Sequence, residues 1–301
     1  MNPQMKALIY YLSWPLVYLT ASLPFSALYR VSDLLCLVFK MVGYRKAVVM
    51  TNLRNSFPEK TEAEIREIAS QYYSYVCDVI VESLKAMKMD DSETRKRCTT
   101  APHDWLDKLY EENRSVILVT GHYGNWEWAS ACFRLNTPYD LSVIYRPLSN
   151  KHFDRLVAGM RSRFGIKIVP ETRTLREMAA SRKQVTATAF VADQSAPAGY
   201  AYWTTFLNQD TSIYTGPEKL ARKFNYPVVF VNMHRLRRGY YEMTTELLCL
   251  NPDETTDGEI SEAFARRLEK DILKNPVTWL WSHKRWKHSR PLNQGLVSVQ
   301  T

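Results

Sequence analysis

The centre of the fold is predicted by the stretch Ser115-Val-Ile-Leu-Val-Thr120, followed by Gly121-His122-Tyr123-Gly124-Asn125-Trp126-Glu127. Its apolar, β-branched first half predicts a buried strand, and Gly121 permits a sharp turn after it. The residues from Asn125 or Trp126 onward predict a helix, with Asn125 as its N-cap. His122 is therefore predicted at a strand-to-helix junction on the carboxyl edge of a sheet, where α/β proteins commonly bind ligands.

Further β-rich runs and helical patterns alternate along the chain around this junction. The predicted strands are residues 115–120, 141–145, 186–192, 228–233 and 240–248. The predicted helices are residues 153–163, 175–181, 217–224 and 261–273, with a long one from the capping box Thr61-Glu62-Ala63-Glu64 to about Met87. This alternation predicts an α/β fold with a mostly parallel central sheet flanked by helices.

A segment without charge, residues 7–29, lies near the N-terminus between Lys6 and Arg30. As one helix it would span about 35 Å, against a hydrocarbon core of about 30 Å, so it predicts an N-terminal membrane-anchoring helix. A cleaved signal peptide and a buried core helix are the alternatives. Because more basic residues follow the segment than precede it, the positive-inside rule places the rest of the chain on the cytoplasmic side. We expect residues 1–45 to form the anchor and an interfacial segment, and residues 46–301 to form one globular domain.

Composition limits the classes of partner and of site. The 40 basic and 31 acidic residues give a net charge of +9, which favours anionic partners such as phosphorylated lipids, an acidic protein or nucleic acid. Nucleic acid is the least supported of these, because no nucleic-acid-binding motif accompanies the basic residues. The five cysteines are scattered and never spaced as C-x-x-C, which predicts neither a disulfide framework nor a cysteine-based zinc site.

Within residues 115–127, His122 and Glu127 are the residues that are suited to acid–base chemistry. On one continuous helix their spacing would separate them by about 140°. They can meet only if His122 precedes the helix and Glu127 lies in its first turn. Glu127 would then fix the tautomer of the imidazole, whose other nitrogen would accept the proton of an attacking hydroxyl. Without further context, the alternative is a purely structural hydrogen bond.

The same stretch resembles the signature of the bacterial lipid A biosynthesis acyltransferases, which belong to the lysophospholipid acyltransferase superfamily and share its His-x4-Asp/Glu pair. Further blocks resemble this family in the same order along the chain: Asn52-Leu-Arg-Asn-Ser-Phe-Pro58, Tyr145-Arg-Pro-Leu-Ser-Asn-Lys151, Asp193-Gln194, Thr215-Gly-Pro-Glu-Lys-Leu-Ala221 and Trp279-Leu-Trp-Ser-His-Lys-Arg-Trp-Lys287. The chain departs from the family at Phe206-Leu207-Asn208, where many members have Phe-Phe-Gly.

The resemblance implies transfer of a fatty acyl chain from an acyl carrier protein thioester to a hydroxyl of a lipid A precursor. His122 would be the general base and Glu127 its orienting partner, with no metal and no cofactor. The acceptor alternatives are a lysophospholipid, an aminolipid or a glycolipid. Other classes are a thioesterase or lipid hydrolase, and a non-catalytic protein that binds anionic lipid. The implied location is the inner membrane, with one N-terminal anchor, a cytoplasmic catalytic domain at residues 46–301, and no nucleic acid among the partners.

The resemblance also proposes substrate-binding residues, namely Asn125, Arg146, Arg161 and Asp193. The two arginines would bind lipid phosphates or the phosphopantetheine arm, since a guanidinium can donate two hydrogen bonds to phosphate; surface ion pairs are the alternative. Asp193 ends a predicted strand on the same edge as His122, with a turn or helix cap as its alternative. The C-terminal run around Trp279 combines aromatic and basic residues, which predicts either contact with a membrane interface or packing against the domain.

Overall fold

The computed structural model describes residues 2–197 and 201–291 of the chain. Its N-terminal part consists of helices α1 (Pro3–Ser22), α2 (Phe25–Val42), α3 (Lys46–Ser56) and α4 (Glu62–Lys85). The predicted capping box starts α4: the Thr61 hydroxyl accepts a hydrogen bond from the Glu64 amide at 3.3 Å, and the Glu64 carboxylate accepts one from the Thr61 amide at 2.8 Å. The long helix is therefore confirmed, and it ends two residues before its predicted end.

The expectation of one membrane-crossing helix over residues 7–29 is wrong. Leu23 and Pro24 have extended backbone angles and separate α1 from α2. Proline has no amide hydrogen and disfavours the helical conformation of the residue before it, which explains the break. Among residues 2–197 and 201–291, no helix combines the length and the apolar character that crossing a membrane requires. Helix α2 packs along α4, where the Ser32 hydroxyl donates to Asp78 at 2.6 Å.

The rest of the described chain alternates short helices and strands. The helices are α5 (Asp91–Arg97), α6 (Asp104–Glu111), α7 (Trp126–Asn136), α8 (Lys151–Arg161), α9 (Thr174–Ala180), α10 (Gly216–Phe224) and α11 (Glu259–Lys274). The strands are β1 (Cys98–Thr100), β2 (Val116–Thr120), β3 (Asp140–Tyr145), β4 (Lys167–Pro170), β5 (Thr186–Val191), β6 (Ala201–Phe206), β7 (Gln209–Tyr214), β8 (Val228–Arg237) and β9 (Tyr240–Cys249). Every predicted strand is present, whereas β1, β4, β6 and β7 are additional.

Within the described ranges, seven strands form the central sheet in the order β1-β9-β8-β2-β5-β3-β4. All neighbours are parallel except β8 and β9, which pair antiparallel. Strands β6 and β7 form a separate antiparallel pair. The predicted α/β fold with a mostly parallel sheet is thus confirmed, and β2 lies in its middle, between β5 and β8.

Strand β2 is buried on both faces, as its continuous apolar run predicts. Ile117 and Val119 belong to one core, together with side chains of α4 and α11, while Val116 and Leu118 belong to a second core with α6 and α7. Successive side chains of a strand point to opposite faces, so these four residues join both layers of helices to the sheet. The carboxyl end of β2 is thereby fixed from both sides.

Candidate active site

The loop between β2 and α7 carries His122 and is held by its own polar residues. The Asn125 side chain accepts a hydrogen bond from the Trp128 amide at 3.1 Å and donates one to Glu82 at 2.8 Å. Asn125 is fully buried, so these contacts make it a helix cap and leave none of it for a substrate, contrary to the substrate-binding expectation. Tyr75 of α4 also donates a hydrogen bond to the Gly124 carbonyl.

Both glycines of this loop lie in closely packed surroundings. Gly124 has φ +57°, and a Cβ atom at this position would overlap the carbonyl of Met233 in β8. A Cβ atom on Gly121 would lie 2.8 Å from Leu268 of α11 and 3.3 Å from the Asp193 carboxylate. Gly124 is therefore required by the approach of the loop to the β8 backbone, whereas a Cβ atom at Gly121 could be admitted by movement of the Leu268 side chain.

His122 is bound at two points by Asp193, which follows the neighbouring strand β5. The His122 amide donates to Asp193 Oδ2 at 2.8 Å, and His122 Nδ1 lies 2.6 Å from Asp193 Oδ1. The indole Nε1 of Trp279 donates a third hydrogen bond to the same carboxylate, also at 2.8 Å. Asp193 therefore fixes the position, the ring orientation and the tautomer of the imidazole.

The charge of Asp193 is stabilised in spite of its burial. Burial on its own would raise the pKa of this carboxyl group, but the charge and hydrogen bonds of His122, together with the Trp279 hydrogen bond, lower it to about 2. An ionised Asp193 accepts the Nδ1 proton of a neutral imidazole, which leaves Nε2 as the basic nitrogen. His122 Nε2 lies 3.3 Å from the side-chain nitrogen of Gln194, a donor that a substrate hydroxyl can replace.

Glu127 lies in the first turn of α7, as expected, but its carboxylate is not bound to His122. Arg161 of α8 donates to both of its oxygens, at 2.9 Å from Nε and 2.5 Å from Nη2. Such a two-point contact uses the planar guanidinium fully. The predicted His122–Glu127 hydrogen bond is thus replaced by His122–Asp193 and Glu127–Arg161, because β5 is the immediate neighbour of β2 and brings Asp193 to the histidine.

Comparison of the whole chain with known proteins shows the family to which it belongs. The family model for the bacterial lipid A biosynthesis acyltransferases matches residues 1–288. The protein belongs to this family. The lipid A biosynthesis palmitoleoyltransferase of Escherichia coli (strain K12) is 24% identical over 258 residues, covering 85% of this chain and 82% of the relative. The lipid A biosynthesis lauroyltransferase of the same organism is 24% identical over 290 residues, covering 94% and 93%.

The two arginines expected to bind substrate differ in their availability in this acyltransferase family member. Arg146 directly follows β3, two strands from β2, which corresponds to about 10 Å along the sheet edge. Its side chain is 86% exposed and lies 3.6 Å from Glu171. Arg161, by contrast, is engaged by Glu127. Arg146 is thus the more exposed of the two, and its ion pair with Glu171 lies at the protein surface.

The C-terminal aromatic and basic run packs against the domain. Of the two alternatives, membrane contact and packing, its Trp279 and Trp281 follow the second. Trp279 and Trp281 are buried, and the backbone of Tyr123 forms a β-bridge with Trp279. The Asn52 side chain donates to the carbonyls of Trp281 and His283, at 2.9 Å each. Sequence reasoning missed the direct contact of Trp279 with Asp193, although both lie in blocks that resemble the family.

A narrow cavity of about 20 Å³ lies beside the Glu127–Arg161 ion pair. The rest of its lining is mainly apolar and includes Ala86, Met89, Trp128, Ala131, Met160, Phe164 and Ile166. This volume holds about one water molecule, so a fatty chain can enter only when the lining side chains move. A larger cavity of about 380 Å³, beside Arg114 and Gln184, lies at the opposite edge of the sheet, where β2 and β5 begin.

Proposed function

We propose that the protein transfers a fatty acyl chain from an acyl carrier protein thioester to a hydroxyl of a lipid A precursor, with His122 as general base. The observation that carries this proposal is the position of the His122 imidazole, which Asp193 holds at the carboxyl edge of the sheet. Its Nε2 faces the Gln194 side-chain amide, which a substrate hydroxyl can replace. Membership of the lipid A acyltransferase family supports the reaction class. The relatives named above transfer palmitoleoyl and lauroyl groups, by their names.

The proposed reaction is a direct acyl transfer, without a covalent enzyme intermediate. His122 Nε2 takes the proton of the acceptor hydroxyl while the hydroxyl oxygen forms a bond to the thioester carbonyl carbon. The tetrahedral intermediate collapses to the ester, and the carbon–sulfur bond breaks. The leaving thiolate of the acyl carrier protein takes the proton back from the imidazolium. Asp193, ionised throughout, stabilises the imidazolium between these two steps.

Glu127 and Arg161 have a different part in this proposal. Their ion pair joins the first turn of α7 to the end of α8 and forms the polar side of the narrow cavity. We place the acyl chain along the apolar side of this cavity, because an apolar lining suits a fatty chain. Arg146, exposed on the same edge of the sheet, is placed against a phosphate of the lipid or of the phosphopantetheine arm.

The first two helices support a placement of the protein at the inner membrane surface. Large apolar side chains are exposed along both of them: Leu8, Leu12, Leu16 and Leu19 in α1, and Leu34, Leu37, Met41 and Val42 in α2. An exposed apolar surface of this extent is typical of a membrane contact. Replacing Leu12 and Leu16 by glutamate is expected to reduce co-sedimentation with anionic vesicles, and unchanged co-sedimentation would contradict this placement.

The reaction is tested with purified protein, a fatty acyl–acyl carrier protein and a lipid A precursor that carries free hydroxyls, followed by mass spectrometry of the lipid. The wild type is expected to add one acyl mass, and His122→Ala to lower the initial rate by about 10³-fold. The matched control is His288→Ala, which removes a histidine outside the site. Release of free fatty acid without acylated lipid would identify a hydrolase instead. Equal rates for His122→Ala and the wild type would refute the mechanism.

A further inference from the structure

Arg285 carries a positive charge that is buried, among the residues that the structure describes, without a hydrogen-bond acceptor. The side chain of Arg285 is 1% exposed. Within residues 2–197 and 201–291, none of its three guanidinium nitrogens has a hydrogen-bond partner. Its guanidinium lies 6.0 Å from the centre of the Phe206 ring. Buried cations are usually paired, so an arginine left in this state needs a reason.

The segment that carries Arg285 is held firmly beside the active site. The Ser282 amide donates to the Tyr72 hydroxyl at 3.0 Å, and Arg45 donates to the Ser282 carbonyl at 2.8 Å. The Arg285 amide donates to the His283 carbonyl at 2.9 Å, in the same segment whose Trp279 binds Asp193. These contacts fix the backbone that carries Arg285. The Phe206 ring beside its guanidinium packs edge-on against Trp279, with 5.8 Å between the ring centres.

Asp193 is the carboxylate whose charge acts on Arg285. Burial lowers the pKa of Arg285 to about 10, while the charge of Asp193 opposes this change, so the guanidinium remains charged at neutral pH. Both oxygens of Asp193 are already occupied by His122 and Trp279. The arginine thus acts on the carboxylate through space, without touching it by a hydrogen bond.

We propose that Arg285 is a positioning residue of the catalytic pair, whose buried charge balances Asp193 and keeps His122 available as a base. With a neutral imidazole, Asp193 alone would leave an uncompensated negative charge in the interior. That charge would favour a protonated imidazole, which cannot accept a proton from the acceptor hydroxyl. The buried arginine counteracts this effect. The inference rests on the proposed role of His122 as general base.

The other charged and titratable groups around the pair do not supply this balance. Burial lowers the pKa of His283 to about 4, so it is neutral at physiological pH. Helix α11 packs below Gly121 and presents Arg267 and Asp271, which pair with each other at 2.7 Å. Gln194, on the open side of the imidazole, carries no charge.

The experiment measures kcat/KM against pH for Arg285→Met, which removes the charge, and Arg285→Lys, which keeps it. The acid limb of the Arg285→Met profile is expected to move up by about one pH unit, so the rate below the limb falls about tenfold. Arg285→Lys is expected to stay within about 0.3 unit of the wild type. Lys284→Met, which removes an adjacent exposed cation, is the matched control and is expected to leave the profile unchanged.

Titration of the His122 imidazole by NMR, without substrates, separates this inference from the proposed function. Its midpoint is expected to move up by about one unit in Arg285→Met, whether or not the wild type transfers acyl groups. If Arg285→Met does not fold, Arg285→Gln takes its place. An unchanged midpoint, or an equal shift in Arg285→Lys, would overturn the inference. Loss of wild-type acyl transfer with the expected NMR shift would refute the proposed function alone.

Discussion

Asp193 and Glu127 are two carboxylates near one histidine, and their surroundings differ. Asp193 follows β5 and is buried, with three hydrogen bonds from His122 and Trp279. Glu127 lies on α7, beside a cavity, and forms a two-point ion pair with Arg161. A carboxylate near the histidine in sequence is therefore not the one that contacts the imidazole, since the contacting carboxylate is 71 residues from the histidine.

Replacing the carboxylate that contacts the imidazole should have the largest effect on activity. Asp193→Asn removes the charge that selects the Nδ1–H tautomer, so kcat is expected to fall about 10³-fold with little change in KM. Steady-state kinetics with the acyl carrier protein thioester measures this loss. Asp140→Asn, at the start of β3 with a 73% exposed side chain, is the control and should retain full activity. Near-normal kcat for Asp193→Asn would remove the distinction between the two carboxylates.

A third carboxylate, Glu82 of α4, accepts a hydrogen bond from the cap residue of the helix that carries Glu127. Its ionisation should make the stability of the protein depend on pH. Burial raises the pKa of Glu82 from 4.5 to about 7, although hydrogen bonds from Tyr241 and Tyr29 oppose this rise. A carboxyl group whose pKa is raised on folding contributes stability below its unfolded pKa and loses it as pH rises through the folded value.

The free energy of unfolding of the wild type, relative to Glu82→Gln, should therefore fall by about 3 kcal/mol between pH 4.5 and 7.5. Denaturant unfolding at several pH values measures the two curves. Parallel curves would show that Glu82 does not change its affinity for protons on folding.

Breaking the ion pair should have the smallest effect of the three. Glu127→Gln is expected to lower kcat/KM about tenfold, chiefly through KM, and to leave the pH profile in place. Arg161→Met should have a similar effect, and the double variant should be little worse than either single one, because both remove the same contact. A loss as large as that of Asp193→Asn, with a shifted pH profile, would mean that Glu127 binds the imidazole during the reaction.

Short-range sequence patterns predict the loop that carries His122, but they do not predict which distant residue contacts it. The strand before Gly121, the turn, and the Asn125 cap follow from short-range patterns, and all three are present. That Asp193 rather than Glu127 meets His122 depends on the strand order, which places β5 beside β2 and which no local pattern specifies. The burial of Arg285 was hidden for the same reason, since Lys284 and Lys287 on either side of it are exposed.

The N-terminal segment differs from its sequence expectation for another reason. Residues 7–29 have the composition of a membrane span, but they also contain Pro24. In the structure this proline separates two helices, both of which pack against α4. The signal for the break was present in the sequence, because proline disfavours helix at the residue before it.

The hydrogen bond from Trp279 to Asp193 also has a consequence for the order of events during synthesis. The histidine, its carboxylate and this indole leave the ribosome in that order, and domains assemble as the chain emerges at about 5–20 residues per second. The β-bridge between Tyr123 and Trp279 closes the loop only when the C-terminal segment has arrived. A nascent chain that has already formed β2 and β5 thus holds His122 and Asp193 but lacks the indole that binds the carboxylate, until residue 279 has been synthesised.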